Sequence, residues 1–286
     1  MPQEFIELTF DIHCFRLILL STLILSMTYP VVHLVLLKCD GYQKIEDSSN
    51  QQMVILHHTV EALLLSCATP IFSYYMIRLN FQVHDDMAEV LYYSRSINTL
   101  ALTFVAMYLI EIASRFKNIR FLILFHHLMI ILDAMIVLFI PTVAMVKTAL
   151  VLVYFICFES LTFVGLLMYR LFPENKVTPK VILAGMILFG ASRPLQLLWI
   201  GAVVFGCWNQ ENFVKWQAIF QLFITIVLTS LQIFSIKIHY SLWKRSLAKQ
   251  TRSDVNNKLD DADSFTDDYA PATDLNKSAH IMADVF

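Results

Sequence analysis

Charge is scarce in this 286-residue chain: Asp, Glu, Lys and Arg make up 15% of it, against 57% hydrophobic residues and a mean hydropathy of +0.62. A soluble domain carries about 25% charged residues, so an ordinary cytosolic enzyme is excluded. No basic run reaches five residues and no nucleic-acid motif is present, which excludes a nucleic-acid partner. The five cysteines have no ligand spacing and give no disulfide framework. The N-terminus starts acidic, with Glu4, Glu7 and Asp11, and the first apolar run is too long for a signal h-region. A cleaved signal peptide is therefore not expected, and that run is read as a first span. No internal repeat is visible.

What is present is apolar length. Seven stretches, 17–37, 53–77, 96–114, 121–139, 148–169, 181–206 and 216–236, are each long enough to cross a hydrocarbon core of about 30 Å as a helix. Between them they contain only Glu61, Glu111, Asp133, Glu159 and Arg193 from all the formal charges of the chain. The expected fold is all-α: a polytopic membrane bundle of about seven helices around a central cavity. One side of the spans holds Arg16, Arg78, Arg95, Lys147 and Lys215; the remaining Lys and Arg, apart from Arg193, fall on the other side or in the C-terminal tail. The positive-inside rule then puts the N-terminus outside or in the lumen and the C-terminus in the cytosol.

The rest of the chain divides simply. Residues 1–52 form a first span and a polar loop, 53–245 a six-helix membrane domain, and 246–286 an acidic cytosolic tail expected to be mostly disordered. Residues 81–95 carry Val83, Met87, Val90 and Leu91 at helical spacing, which predicts a helix lying at the interface. Lys237, Lys244 and Arg245 suit a headgroup anchor. Ser264 and Thr266 stand beside acidic residues, where an acidophilic kinase could act. The sequon at Asn276 is read as chance on a cytosolic tail. A Cys14–Cys207 disulfide is open in an oxidising lumen.

The intramembrane acids and Arg193 are the informative residues. Each costs about 2.5–3.5 kcal/mol at a helix centre, roughly 12–18 kcal/mol for five left unpaired, so they imply a polar interior turned away from lipid. With one such Arg among four acids, some acids must be neutral or otherwise partnered. His126 and Asp133 lie seven apart on one face of the fourth span, about 10 Å along its axis, and His127 points some 100° away. In the second span Glu61 follows His57 at i,i+4 and His58 at i,i+3, so either ring could be oriented by it. Three readings of the histidines stay open: general acid–base work in acyl transfer, a metal site, or a structural hydrogen bond between helices. No three-box His pattern of the membrane desaturase kind supports metal.

The run Arg120…Phe125-His126-His127-Leu128…Asp133 resembles the paired-His helix of the TLC family, the membrane domain shared by TRAM, Lag-type ceramide synthases and related proteins. Glu159-Ser160-Leu161-Thr162-Phe163 through Arg170 is similar to that family's Glu-Ser/Thr-x-Phe helix, and Arg193 to the Arg of its next span. The resemblance covers about residues 53–243. It implies a bundle of about six helices around a membrane cavity in the endoplasmic reticulum. It further implies a catalytic His126–His127 pair that joins an acyl chain from acyl-CoA to a sphingoid amine. The chain departs from ceramide synthases after the pair, running into Met135-Ile136-Val137-Leu138-Phe139-Ile140-Pro141 instead of a further His-Asp and more acids. Other members act in lipid composition or trafficking.

The expected function is a lipid N- or O-acyltransferase with His126, His127 and Asp133 as catalytic residues. His57, His58, Glu61, Glu111, Glu159 and Arg193 would line the cavity, Glu159 pairing with Arg193 across helices. No metal or bound cofactor is expected; acyl-CoA is the co-substrate. Partners are membrane lipids, with a sphingoid base or another lipid acceptor, and a homo-oligomer is left open. The alternatives are a non-catalytic lipid-binding or lipid-homeostasis protein, then a seven-helix receptor or transporter; no repeat or Gly/Pro-broken pair of spans supports a transporter.

Overall fold

The computed structural model describes residues 3–45, 49–81, 87–139, 143–208 and 215–263. Its elements are α1 (Gln3–Leu36), α2 (Asp40–Gln43), α3 (Ser49–Phe81), α4 (Met87–Arg115), α5 (Phe121–Phe139), α6 (Val143–Cys157), α7 (Glu159–Leu171), α8 (Thr178–Cys207) and α9 (Lys215–Asp263). The described residues form an all-α polytopic bundle. Lipid cannot satisfy backbone amides and carbonyls, so a spanning segment must do so internally, as a helix does.

Among the described residues, six helical segments are long and apolar enough to cross a membrane: Phe15–Leu36, Asn50–Arg78, Tyr92–Arg115, Val146–Leu171, Thr178–Gly206 and Ala218–Thr251. The fourth expected span, 121–139, is the shorter apolar helix Phe121–Met135 among the described side chains. The fifth is one crossing with an interruption. It breaks at Phe158 into α6 and α7, although neither Gly nor Pro stands there, and Phe158 N–H donates to Phe155 O at 3.3 Å in a tightened turn. Pro30, Pro70 and Pro194 by contrast lie inside continuous helices, which neighbouring helices make tolerable in a membrane bundle.

Each span turns one stripe inward. On α1 the buried positions are Ser21, Leu25, Tyr29, Val32 and Leu36, while Leu19, Leu20, Leu23, Ile24 and Met27 are exposed on the outer face. This is helical periodicity with lipid as the outer solvent. The inward stripe of α1 meets α3 and α4. On α4 the inward stripe ends Phe104, Tyr108, Glu111, Arg115, so a polar group arrives at each of its last turns. Two glycines let α7 and α8 approach closely. A methyl at Gly185 would lie 3.1 Å from Leu161 O and Thr162 Cα, and one at Gly165 would lie 3.2 Å from Ile182 Cα. Small residues at membrane helix contacts serve this close approach.

Two expectations change. Helix α9 passes the expected start of the tail at 246 and runs on to Asp263, since no Gly or Pro interrupts the chain between Gly206 and Pro271. The interface helix expected over 81–95 is in part the first turns of α4, and residues 82–86 lie outside the described residues. Ser264, Thr266 and Asn276 also lie outside them, as do the side chains of Cys14 and Cys207. Cys39, Cys67 and Cys157 are free thiols.

Candidate functional site

A cavity of about 380 Å³ opens among α3, α4, α5, α7, α8 and α9. It collects His57, His58, Glu61, Glu111, His126, His127 and Glu159 from the residues singled out in the sequence, and adds Tyr108, Arg115, Gln232 and His239. Its remaining wall is apolar, chiefly Phe163, Leu166, Phe189 and Leu231. At the margin stand Leu122 on α5 and Phe234 on α9, 40% and 47% exposed. The apolar wall thus continues onto the lipid-facing surface where α5 packs against α9. Such a concave, mostly apolar pocket with a few convergent polar groups has the anatomy of a small-molecule site.

Glu111 organises the polar wall. It is 4% exposed, and its Oε1 takes a guanidinium N–H from Arg115 one turn on. Its Oε2 lies 2.6 Å from His57 Nε2 and 2.9 Å from His127 Nε2. These are close contacts without full hydrogen-bond alignment. At these separations a ring nitrogen that carries hydrogen is attracted to the carboxylate, and a bare one would be repelled. His127 Nδ1 then carries the lone pair, buried and with no hydrogen-bond partner. Arg115 Nε also donates to Asn50 Oδ1 at 3.3 Å, tying the end of α4 to the start of α3.

The aromatic rings pack this arrangement in place. Tyr108 stacks on His127, and its hydroxyl donates to Glu61 Oε1 at 3.1 Å. His58 stacks on Phe163 at 5.3 Å and approaches Glu61 Oε2 at 3.7 Å through Nδ1. Of the two rings expected to be oriented by Glu61, only His58 meets it. His57 turns away to Glu111 on the neighbouring helix, because inter-helix contact outweighs the local i,i+4 spacing. His126 lines the cavity beside His127, with ring centroids 5.8 Å apart.

Asp133 lines a different space. It does share the length of α5 with the histidines, but it opens into a second chamber of about 70 Å³ with Arg193, Gln196 and Ala134. Tyr108, Glu159 and Gln232 line both spaces and form the partition between them. A seven-residue separation along α5 carries Asp133 past that partition, and the carboxylate that meets His127 is Glu111. Arg193 likewise belongs to the second chamber. Its guanidinium contacts Glu159 Oε1 and donates to Gln196 Oε1 at 2.6 Å, and Gln232 Nε2 donates to the same Glu159 oxygen at 3.0 Å. The Glu159–Arg193 pair across helices is present, and its Glu159 side lines the larger cavity as well.

Tyr29, Tyr108, Arg115, Gln232 and His239 were not among the sequence candidates. Tyr29 lies on α1, outside the six-helix domain, and its hydroxyl sits 2.7 Å from His57 Nδ1. The one sequence signal for Gln232 was an amide inside an otherwise apolar stretch. Among the described residues, no three His, Cys, Asp or Glu side chains have the geometry of a metal site. Neither a family model, a curated protein nor a solved structure matches this chain.

Proposed function

We propose that this protein is a lipid acyltransferase of the TLC type, joining an acyl group from acyl-CoA to the amine or hydroxyl of a membrane lipid such as a sphingoid base. The observation that carries the reading is the Glu111–His127 pair at the wall of an apolar cavity, with the far ring nitrogen of His127 unpartnered. A carboxylate behind an imidazole fixes its tautomer and stabilises the imidazolium that forms on proton transfer. In the proposed step His127 Nδ1 takes the proton of the acceptor N–H or O–H as that atom attacks the thioester carbonyl carbon. The C–S bond then breaks, and the imidazolium returns the proton to the leaving CoA thiolate. His126 lies beside this centre and assists in holding the substrate. At about 380 Å³ the cavity suits the reacting headgroup and the first carbons of a chain, whose remainder follows Leu122 and Phe234 out to lipid.

We place this activity in the endoplasmic reticulum, with the N-terminus lumenal and the C-terminus cytosolic, from the family resemblance and the distribution of Lys and Arg. The apolar walls equally favour a second reading, a lipid-binding or lipid-homeostasis protein without chemistry. One experiment separates them: lipidomics of cells expressing the wild type, His126→Ala/His127→Ala and Glu111→Gln at matched, correctly inserted levels. A lipid class made by the wild type and lost in both variants is expected. Equal lipid changes in all three, or none in any, would leave binding without chemistry.

A further inference from the structure

Helix α1 stands outside the six-helix unit that the sequence marks as the membrane domain, yet its inward stripe delivers a side chain to the polar cluster. Tyr29 is buried, its hydroxyl 2.7 Å from His57 Nδ1, and its ring stacks on the imidazole with an interplanar angle of 18°. On the other side of the same imidazole, Nε2 lies 2.6 Å from Glu111 Oε2. The chain of contacts is therefore Tyr29, His57, Glu111, His127, drawn from α1, α3, α4 and α5.

The protons along this chain have one consistent arrangement. A bare Nε2 at 2.6 Å from a carboxylate oxygen would set two lone pairs against each other, so Nε2 carries hydrogen. Glu111 already holds the Arg115 guanidinium on its other oxygen, and an imidazolium at His57 would place a second full positive charge on one buried carboxylate. His57 is then the neutral Nε2–H tautomer, and its Nδ1 accepts the Tyr29 O–H. Without that donor both tautomers and a ring flip become accessible, and Oε2 loses one of the two groups that fix its direction.

We infer that Tyr29 is a positioning residue: through His57 it sets the orientation of Glu111 and thereby keeps His127 protonated on Nε2 and bare on Nδ1. The inference rests on the acyltransferase reading for its catalytic consequence, and on geometry alone for the tautomers.

The test uses the full chain in lipid nanodiscs, labelled with ¹⁵N-histidine, as wild type, Tyr29→Phe, His57→Gln and His57→Leu. The ¹⁵N shifts of the nine histidines, assigned by single His→Asn variants, report which ring nitrogen carries hydrogen. Expected for the wild type are Nε2–H and bare Nδ1 at both His57 and His127. Tyr29→Phe should mix the tautomers of both rings and lower kcat about tenfold with KM unchanged, the scale of one lost hydrogen bond. His57→Gln, whose amide still offers an acceptor to Tyr29 and a donor to Glu111, should hold the His127 tautomer that His57→Leu loses, and should fall less in kcat than His57→Leu. A wild-type His57 protonated on both nitrogens, or a Tyr29→Phe protein with unchanged tautomers, overturns the inference. A wild type with the stated tautomers and Tyr29 dependence but no lipid product upholds the positioning and sinks the acyltransferase reading instead.

Discussion

Tyr108 and His127 stack with ring centroids 4.3 Å apart and planes within 19°, so one tyrosine both covers the candidate base and, through its hydroxyl, holds Glu61. The two roles separate by mutation. Tyr108→Phe keeps the stack and removes one buried hydrogen bond, for a loss of about 1 kcal/mol. Tyr108→Ala removes the ring as well, together with an aromatic contribution of about 0.5–1.5 kcal/mol beyond its buried area, and leaves a cavity costing about 3–5 kcal/mol in all. Thermal unfolding in detergent should rank wild type above Tyr108→Phe and that well above Tyr108→Ala. Equal melting temperatures for the two variants would contradict the stacking role.

The Glu159–Arg193 pair should behave as a buried ion pair. Arg193 is 2% exposed, and Arg193→Leu leaves Glu159 with Gln232 as its remaining hydrogen-bond partner. The expected loss is about 3–5 kcal/mol. Glu159→Gln/Arg193→Met removes both charges and should recover much of it. A double variant no more stable than Arg193→Leu would show that the pair is not energetically coupled.

Asp133 and His127 should separate in activity. Since Asp133 opens into the chamber beyond Tyr108, Asp133→Asn should change lipid product by less than about threefold, while His127→Ala should lower it about 10²–10⁴-fold. Product formation per inserted protein is the measure. Equal losses would return Asp133 to the reacting centre.

Gly41 is a packing site with no tolerance. A methyl there would overlap Leu171 O, backbone against which α2 rests at the end of α7, whereas one at Gly201 meets nothing within 4 Å. Gly41→Ala should destabilise by about 1–3 kcal/mol through overpacking. Gly201→Ala should be neutral or gain up to about 1 kcal/mol as a helix-interior glycine replaced. Parallel thermal melts decide it, and a benign Gly41→Ala would place α2 away from α7.

Much of the architecture was legible because charge and apolar length separate cleanly along the chain. Glu111, His127 and their neighbours were legible too, since an acid or a doubled histidine has no reason to sit in hydrocarbon without a partner. What spacing could not give was the partner. His57 reads locally against Glu61 and in space belongs to Glu111, a choice made by how α3 and α4 pack. Asp133 reads against His126 along α5 and is cut off by Tyr108, a residue from another helix. Tyr29 carries no signal in an apolar run that tolerates tyrosine, and only the seating of α1 brings it to the site. The break at Phe158 was equally silent, since no Gly or Pro marks it.

That break has a mechanical consequence. Phe155 and Glu159 are four apart, and an unbroken α-helix would stack them on one stripe. Phe155 belongs to the apolar core and Glu159 to the polar partition. The tightened turn at Phe158, with φ −68° and ψ −14°, is where this single crossing passes from the core face of α6 to the cavity wall of α7. Adding or removing one residue there would leave the α6 core in register while rotating Glu159, Thr162, Phe163 and Leu166 together by about 100°, carrying a whole wall of the cavity out of alignment in one step.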